Sequence, residues 1–239
     1  MAMTDLQTDT ALTGPLSAAE VQHYHERGYV VPQGFRIDPD RLDRMRADLD
    51  RLIADNPHLS PDAMFCPHIP AHGPQALKGA DTWMDHAAIP EVLDAVAQLI
   101  GPDILLWGTT VFGKPAHSGK ETPWHQDGQY WPIRPLATCS VWIAIDPATS
   151  ENGCLRVIPG SHRDRRVRGH DRNDSDGLPL NRRAGYVLRF MPTSSVFDRQ
   201  IGAEIVKLTG GQVDFVTRPL YLMRGEDISG RNDFSVGKQ

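Results

Sequence analysis

Apolar residues in the first hundred positions recur at helical spacing, and those in the next hundred fall in short continuous or alternating runs. Ser17 and Glu20 have capping-box spacing, and Leu16 with Val21 has the spacing of a hydrophobic staple, so a helix is predicted from Ser17 to Arg27. Gly28 supplies its left-handed stop, and Tyr29-Val30-Val31 reads as a strand. Asp38-Pro39 opens a second helix with Leu42, Met45, Leu49, Leu52 and Ile53 on one face, and a third follows Ile89-Pro90 with Val92, Val96, Leu99 and Ile100 as its stripe. Ile104 to Phe112 is the first long strand. Thr138 to Ile145 has the apolar character of a buried strand, Glu151 to His162 reads as the partner strand across a turn, and Arg183 to Met191 alternates.

Two stretches break the pattern. Pro57 to Gly79 is dense in proline and glycine, which marks a loop, so His68 and His72 within it read as loop histidines rather than metal ligands. Arg163 to Arg182 holds six arginines and four aspartates, with Val167, Leu178 and Leu180 as its only aliphatic residues. Too little apolar surface is available there to offset the entropy of ordering, so no buried strand is expected and the segment should be mobile without ligand.

A chain of 239 residues, 40% of them hydrophobic, suffices for one sizeable core. The expected organisation is a disordered tail over 1–15 and a single domain over 16–239, with helical support to about 101 and a β core to about 228. A net charge of −5 and a pI near 6.0 give no overall field favouring nucleic acid or an anionic membrane surface, which leaves small molecules as the expected partners. Cys66, Cys139 and Cys154 are odd in number and widely spaced, which fits a reducing cytoplasm better than a disulfide framework. The polar start lacks the apolar core of a secretory signal.

The chemistry concentrates between Thr122 and His162. His125-Gln126-Asp127 sits upstream of the strand from Thr138, and residues i and i+2 of an extended segment project to one side. An imidazole and a carboxylate so placed are two thirds of a facial triad, the 2-His-1-carboxylate set that holds Fe(II) and leaves adjacent positions open. Taken with Glu151-Asn-Gly-Cys-Leu-Arg-Val-Ile-Pro-Gly-Ser-His162 downstream, the chain resembles the phytanoyl-CoA dioxygenase family of Fe(II)/2-oxoglutarate oxygenases. The resemblance extends to the N-terminal helix and to Arg182 through Asp198.

That resemblance implies a mainly β fold with N-terminal helices, a double-stranded β-helix of jelly-roll, cupin-like type. It implies Fe(II), 2-oxoglutarate and O2, and hydroxylation of a small molecule with release of succinate and CO2. His125 and Asp127 match the first two iron ligands. A carboxylate at 127 favours hydroxylation, because halogenating relatives vacate that position for chloride. Arg183 matches the arginine that receives the distal carboxylate of 2-oxoglutarate, and Trp142 a position lining the co-substrate pocket, although a tryptophan there is equally at home in a core. Trp124, Tyr130 and Trp131 flank the metal pair as mouth or packing residues.

The departure from the family lies after Gly160-Ser161-His162. Three strands with their connections need roughly 25 to 30 residues, whereas 20 separate His162 from Arg183. Part of the late strands should therefore be missing, exposing sheet edges and favouring self-association. His170, followed by Asn173 and Ser175, is the candidate third ligand; His162 matches a structural position of the family's phrase. Two further functions stay open: a binding protein that kept the pocket and lost the iron, and a cupin-like metal isomerase that uses no 2-oxoglutarate.

Overall fold

The computed structural model describes residues 14–69, 75–114, 124–167, 183–208, 210–211 and 213–237. Helix α1 (Ala18–Arg27) begins at Ser17, where both halves of the capping box form, and ends at Gly28 with φ 84°. It buries no residue completely; Tyr24 leans on the core, and the Gln98 side chain holds the backbone of Leu16 through two hydrogen bonds of 2.9 and 2.8 Å. Helix α2 (Pro39–Asp55) starts at the Asp38 cap and buries Met45, Leu49 and Leu52. After strand β1 (Met64–Phe65) come the short α3 (Trp83–Ala87) and α4 (Pro90–Ile100).

Strand β2 (Ile104–Lys114) is the axis of the sheet. Its one edge pairs with β5 (Arg183–Pro192), which in turn pairs with β4 (Cys139–Ala144); its other edge is shared by β1 and β7 (Tyr221–Arg224), and every pairing is antiparallel. A two-stranded sheet joins β3 (Ile133–Arg134) to β6 (Val196–Phe197), ahead of helix α5 (Arg199–Leu208).

The two faces of the large sheet do different work. Ile104, Leu106 and Val111 of β2 meet Ala184, Tyr186, Leu188 and Phe190 of β5 and Ile143 of β4, all buried under α2, α3 and α4. Trp83 stacks edge-on to Tyr186 at 4.8 Å and accepts a hydrogen bond from its hydroxyl at the main-chain oxygen. Leu105 and Trp107 point the other way, into a second cluster with Ile133, Met191, Phe197, Ile205, Phe215 and Leu220. Strict alternation would then send Thr109, not Thr110, to that second face. A β-bulge intervenes: Leu106 pairs with Phe190 and Gly108 with Arg189, leaving Trp107 unpaired. The extra residue resets the alternation, so Gly108, Thr110 and Phe112 join Leu105 and Trp107 on the face away from the helices.

Several sequence expectations fail for the same reason. Glu151 to His162 forms turns and no strand, and Leu155, Val157 and Ile158 stand 57%, 48% and 56% exposed. A strand's stability lies in its neighbours, and no described strand runs beside this stretch. Tyr29 to Val31 likewise forms no strand, with Val31 exposed. Helix α5 was not anticipated, although Asp198 caps it by accepting from the Gln200 and Ile201 amides. Among the described residues the second layer expected opposite the large sheet is reduced to β3 and β6.

Candidate active site

His125 and Asp127 lie on the connection between β2 and β3, at the entrance to a single 3-10 turn, Asp127–Tyr130. The intervening Gln126 is extended (φ −121°, ψ 114°), and that one residue suffices to bring the flanking side chains together. His125 Nε2 and Asp127 Oδ1 are 3.1 Å apart, with both side chains roughly 40% exposed. Two ligand atoms in adjacent positions of an octahedral metal, each bonded at about 2.1 Å, stand about 3.0 Å apart. The pair therefore fits one ion. Among the described residues no third His, Cys, Asp or Glu completes a cluster.

The other oxygen of Asp127 faces Arg189 of β5, with Oδ2 and Nη2 separated by 3.8 Å. Arg189 is nearly enclosed: its Nη1 donates to Thr110 Oγ1 at 2.8 Å, and its guanidinium lies 6.0 Å from the centre of the Phe112 ring. Burial lowers its pKa, nearby Asp127 opposes that, and nearby Arg218 adds to it. Arg189 carried no motif in the sequence. Its signal was a charged residue in the middle of an otherwise apolar strand, Tyr186-Val-Leu-Arg-Phe-Met.

Trp142 of β4 is paired with Val187, two residues from Arg189 on the same face of β5, and its indole covers Gly185 so closely that a Cβ there would stand 2.3 Å from two ring carbons. The structure thus brings His125, Asp127, Trp142 and Arg189 to one face of the sheet. Arg183 opens β5 with its backbone paired to Lys114. His170 lies outside the described residues. Of the flanking aromatics, Trp131 packs edge-on against Trp107 at 5.1 Å and Tyr130 joins the same cluster, which makes both packing residues, while Trp124 is 58% exposed. Beside the 3-10 turn an open groove of about 550 Å³ is lined by Gly128, Gln129, Arg134, Leu136, Arg165 and Val167.

The Gly-Ser-His phrase has a structural task. Gly160 N donates to the Arg27 carbonyl at 2.8 Å, His162 Nε2 to that of His25 at 3.0 Å, and Arg163 Nε to that of Glu26 at 2.9 Å. These are carbonyls left without helical partners at the end of α1. His162 is accordingly committed to the helix terminus, away from the metal pair. His68, read from sequence as an ordinary loop histidine, is instead buried: Thr109 Oγ1 lies 2.8 Å from Nδ1, and Nε2 has no partner.

The family model for phytanoyl-CoA dioxygenase matches residues 24–192. The chain belongs to this family. Peroxisomal phytanoyl-CoA dioxygenase of Rattus norvegicus is 29% identical over 166 residues, covering 62% of this chain and 48% of the relative. The human enzyme of that name is 41% identical over a shorter 83 residues, 33% of this chain and 24% of the relative. Ectoine dioxygenase of Streptomyces avermitilis is 27% identical over 159 residues, 63% of this chain and 53% of the relative. The matched region thus spans about half the length or less of these curated relatives. In three dimensions the fold matches that of CytC3 with Fe(II) and alpha-ketoglutarate (TM-score 0.61, 24% identity, 92% of this chain and 93% of that one). It also matches EctD from S. alaskensis with bound Fe (TM-score 0.62, 19% identity, 92% and 88%).

Proposed function

We propose that the protein is a non-haem Fe(II)/2-oxoglutarate-dependent dioxygenase that hydroxylates a small molecule, with release of succinate and CO2. The observation that carries this reading is the 3.1 Å separation of His125 Nε2 and Asp127 Oδ1 in a chain of this family. The fold shared with iron- and 2-oxoglutarate-bound structures supports a double-stranded β-helix and the same two small-molecule requirements. His125 and Asp127 would hold the iron from one side, with His170 as the third ligand. Iron with 2-oxoglutarate supplies the activation of O2 and the oxidative decarboxylation of the co-substrate.

The chain's own residues do the positioning. Arg189 faces the Asp127 oxygen turned away from His125 and attracts it, which favours a single ligating oxygen. Trp142 against Gly185 forms an apolar wall on the same face, and Arg183 receives the distal carboxylate of 2-oxoglutarate, where a guanidinium fork matches the carboxylate in shape. The groove beside Gly128 gives a small substrate access. No helix among the described residues is long and apolar enough to cross a membrane, and the three cysteines form no disulfide.

A second reading, a binding protein that lost the iron, is favoured by the gathering of two rather than three ligands among the described residues. Anaerobic titration of the protein with Fe(II) and 2-oxoglutarate separates the two. The oxygenase reading expects the weak visible metal-to-ligand band to appear and saturate. Its absence at saturating concentrations would overturn the oxygenase reading in favour of the binding protein.

A further inference from the structure

Two guanidiniums from different elements, Arg189 and Arg218, lie close enough beside β2 to feel each other's charge. Arg189 is the cross-strand partner of Gly108 at the bulge. Arg218 arrives from the segment before β7, and its Nη1 lies 3.1 Å from where a Cβ on Gly108 would stand. A side chain at position 108 would crowd the Arg218 guanidinium. Arg218 is 6% exposed, and its guanidinium rests on the Phe215 ring at 4.6 Å. Its Nε, an obligatory donor, is buried without a hydrogen-bond acceptor.

Like charges do not gather in a dry site without compensation, and a buried donor left unpaired is destabilising. The acids nearby do not meet the need. Asp214 senses Arg218, yet its carboxylate accepts from the Val216 and Thr217 amides and the Thr217 hydroxyl. Asp127 sits 3.8 Å from Arg189, and it is the residue assigned to iron, so its charge is shared once a metal binds. His68 feels the charge of Arg218, but it bonds Thr109, whose side chain points to the helix face of the sheet, so it does not meet the need either.

We infer that Arg189 and Arg218, with Gly108 as the floor between them, form a seat for the carboxylate of the primary substrate, which is therefore an organic acid. The identification as substrate rests on the oxygenase reading above. A carboxylate suits the seat because two guanidinium forks can each present paired donors to its oxygens, and Arg189 already faces one carboxylate, Asp127. The substrate acid held there lies beside the Asp127 end of the metal pair, which carries its adjacent carbons to the reacting centre. Specificity follows from the unpaired donor: a substrate lacking the charge leaves the buried Arg218 guanidinium unmet.

The test is calorimetric titration of the full, iron-free chain with acetate, butanoate, hexanoate and benzoate, each beside its primary amide. At least one acid should bind saturably, its amide at least tenfold more weakly. Arg218→Gln and Arg189→Gln should each weaken the acid by tenfold or more while circular dichroism shows a folded protein; should either fail to fold, the acid-to-amide contrast on the native chain decides alone. Equal binding of acids and amides, no binding of any acid, or unchanged affinity in folded variants overturns the proposal. Displacement of the acid by 2-oxoglutarate would also overturn it, by giving the seat to the co-substrate. Iron is absent from every arm, so a failed visible band leaves this result standing, and a failed acid contrast leaves the band untouched.

Discussion

His68 provides a stability measurement that reaches the interior of this site region without any ligand. Burial, with Arg218 adding to it, pushes its pKa down from 6.5 to about 3. Its side chain is therefore neutral in the folded protein throughout the range from pH 7 to pH 4, whereas in the unfolded chain it takes up a proton below about 6.5. The depressed folded pKa fixes the sign. The stability is present in full above 6.5, falls as pH drops toward 3, and is lost because the unfolded state binds the extra proton. At pH 5 the loss amounts to about 2 kcal/mol, against about 0.2 kcal/mol at pH 7. Urea unfolding of the native protein and of His68→Gln at both pH values isolates this contribution, since other titrating groups, His86 among them, are common to both proteins. The native protein should lose about 2 kcal/mol more than the variant on going from pH 7 to pH 5. Parallel losses within about half a kcal/mol would refute the reasoning and place His68 in contact with water.

Asp127→Ala should abolish product formation with Fe(II) and 2-oxoglutarate; retention of more than a few per cent of turnover would sink the ligand assignment. Arg183→Lys keeps the charge and loses the fork, so 2-oxoglutarate affinity should fall far more than Fe(II) affinity, and equal loss of both in binding titrations would point to another arginine. Gly185→Ala drives a methyl into the Trp142 ring and should cost about 1–3 kcal/mol in urea unfolding, with Trp142→Leu relieving most of it in the double variant; additive effects would contradict the contact. The uncovered Leu155, Val157 and Ile158 should drive self-association, so replacing Leu155 and Ile158 by Ser should lower the sedimentation coefficient, and identical sedimentation would refute it.

What the sequence by itself determined was local or motif-borne. The ends of α1 and α2 follow from Ser17 with Glu20, Gly28 and Asp38-Pro39, because capping is settled within one turn of chain. Strands β2, β4 and β5 were legible from apolar runs long enough to need burial. The His125–Asp127 pair needed only one extended residue between its members. What the tertiary structure decided depended on neighbours. Glu151 to His162 has the composition of a strand but no described strand beside it, so its backbone turns instead to the carbonyls at the end of α1. The faces of β2 hinge on the bulge at Trp107, which no alternation rule places, and only that bulge sends Thr110 toward the site with Trp107. Arg189 and Arg218 approach Gly108 from opposite edges of β2, Arg189 through its pairing in β5 and Arg218 from the segment before β7. That convergence is set by strand pairing far away in sequence, and no local pattern records it.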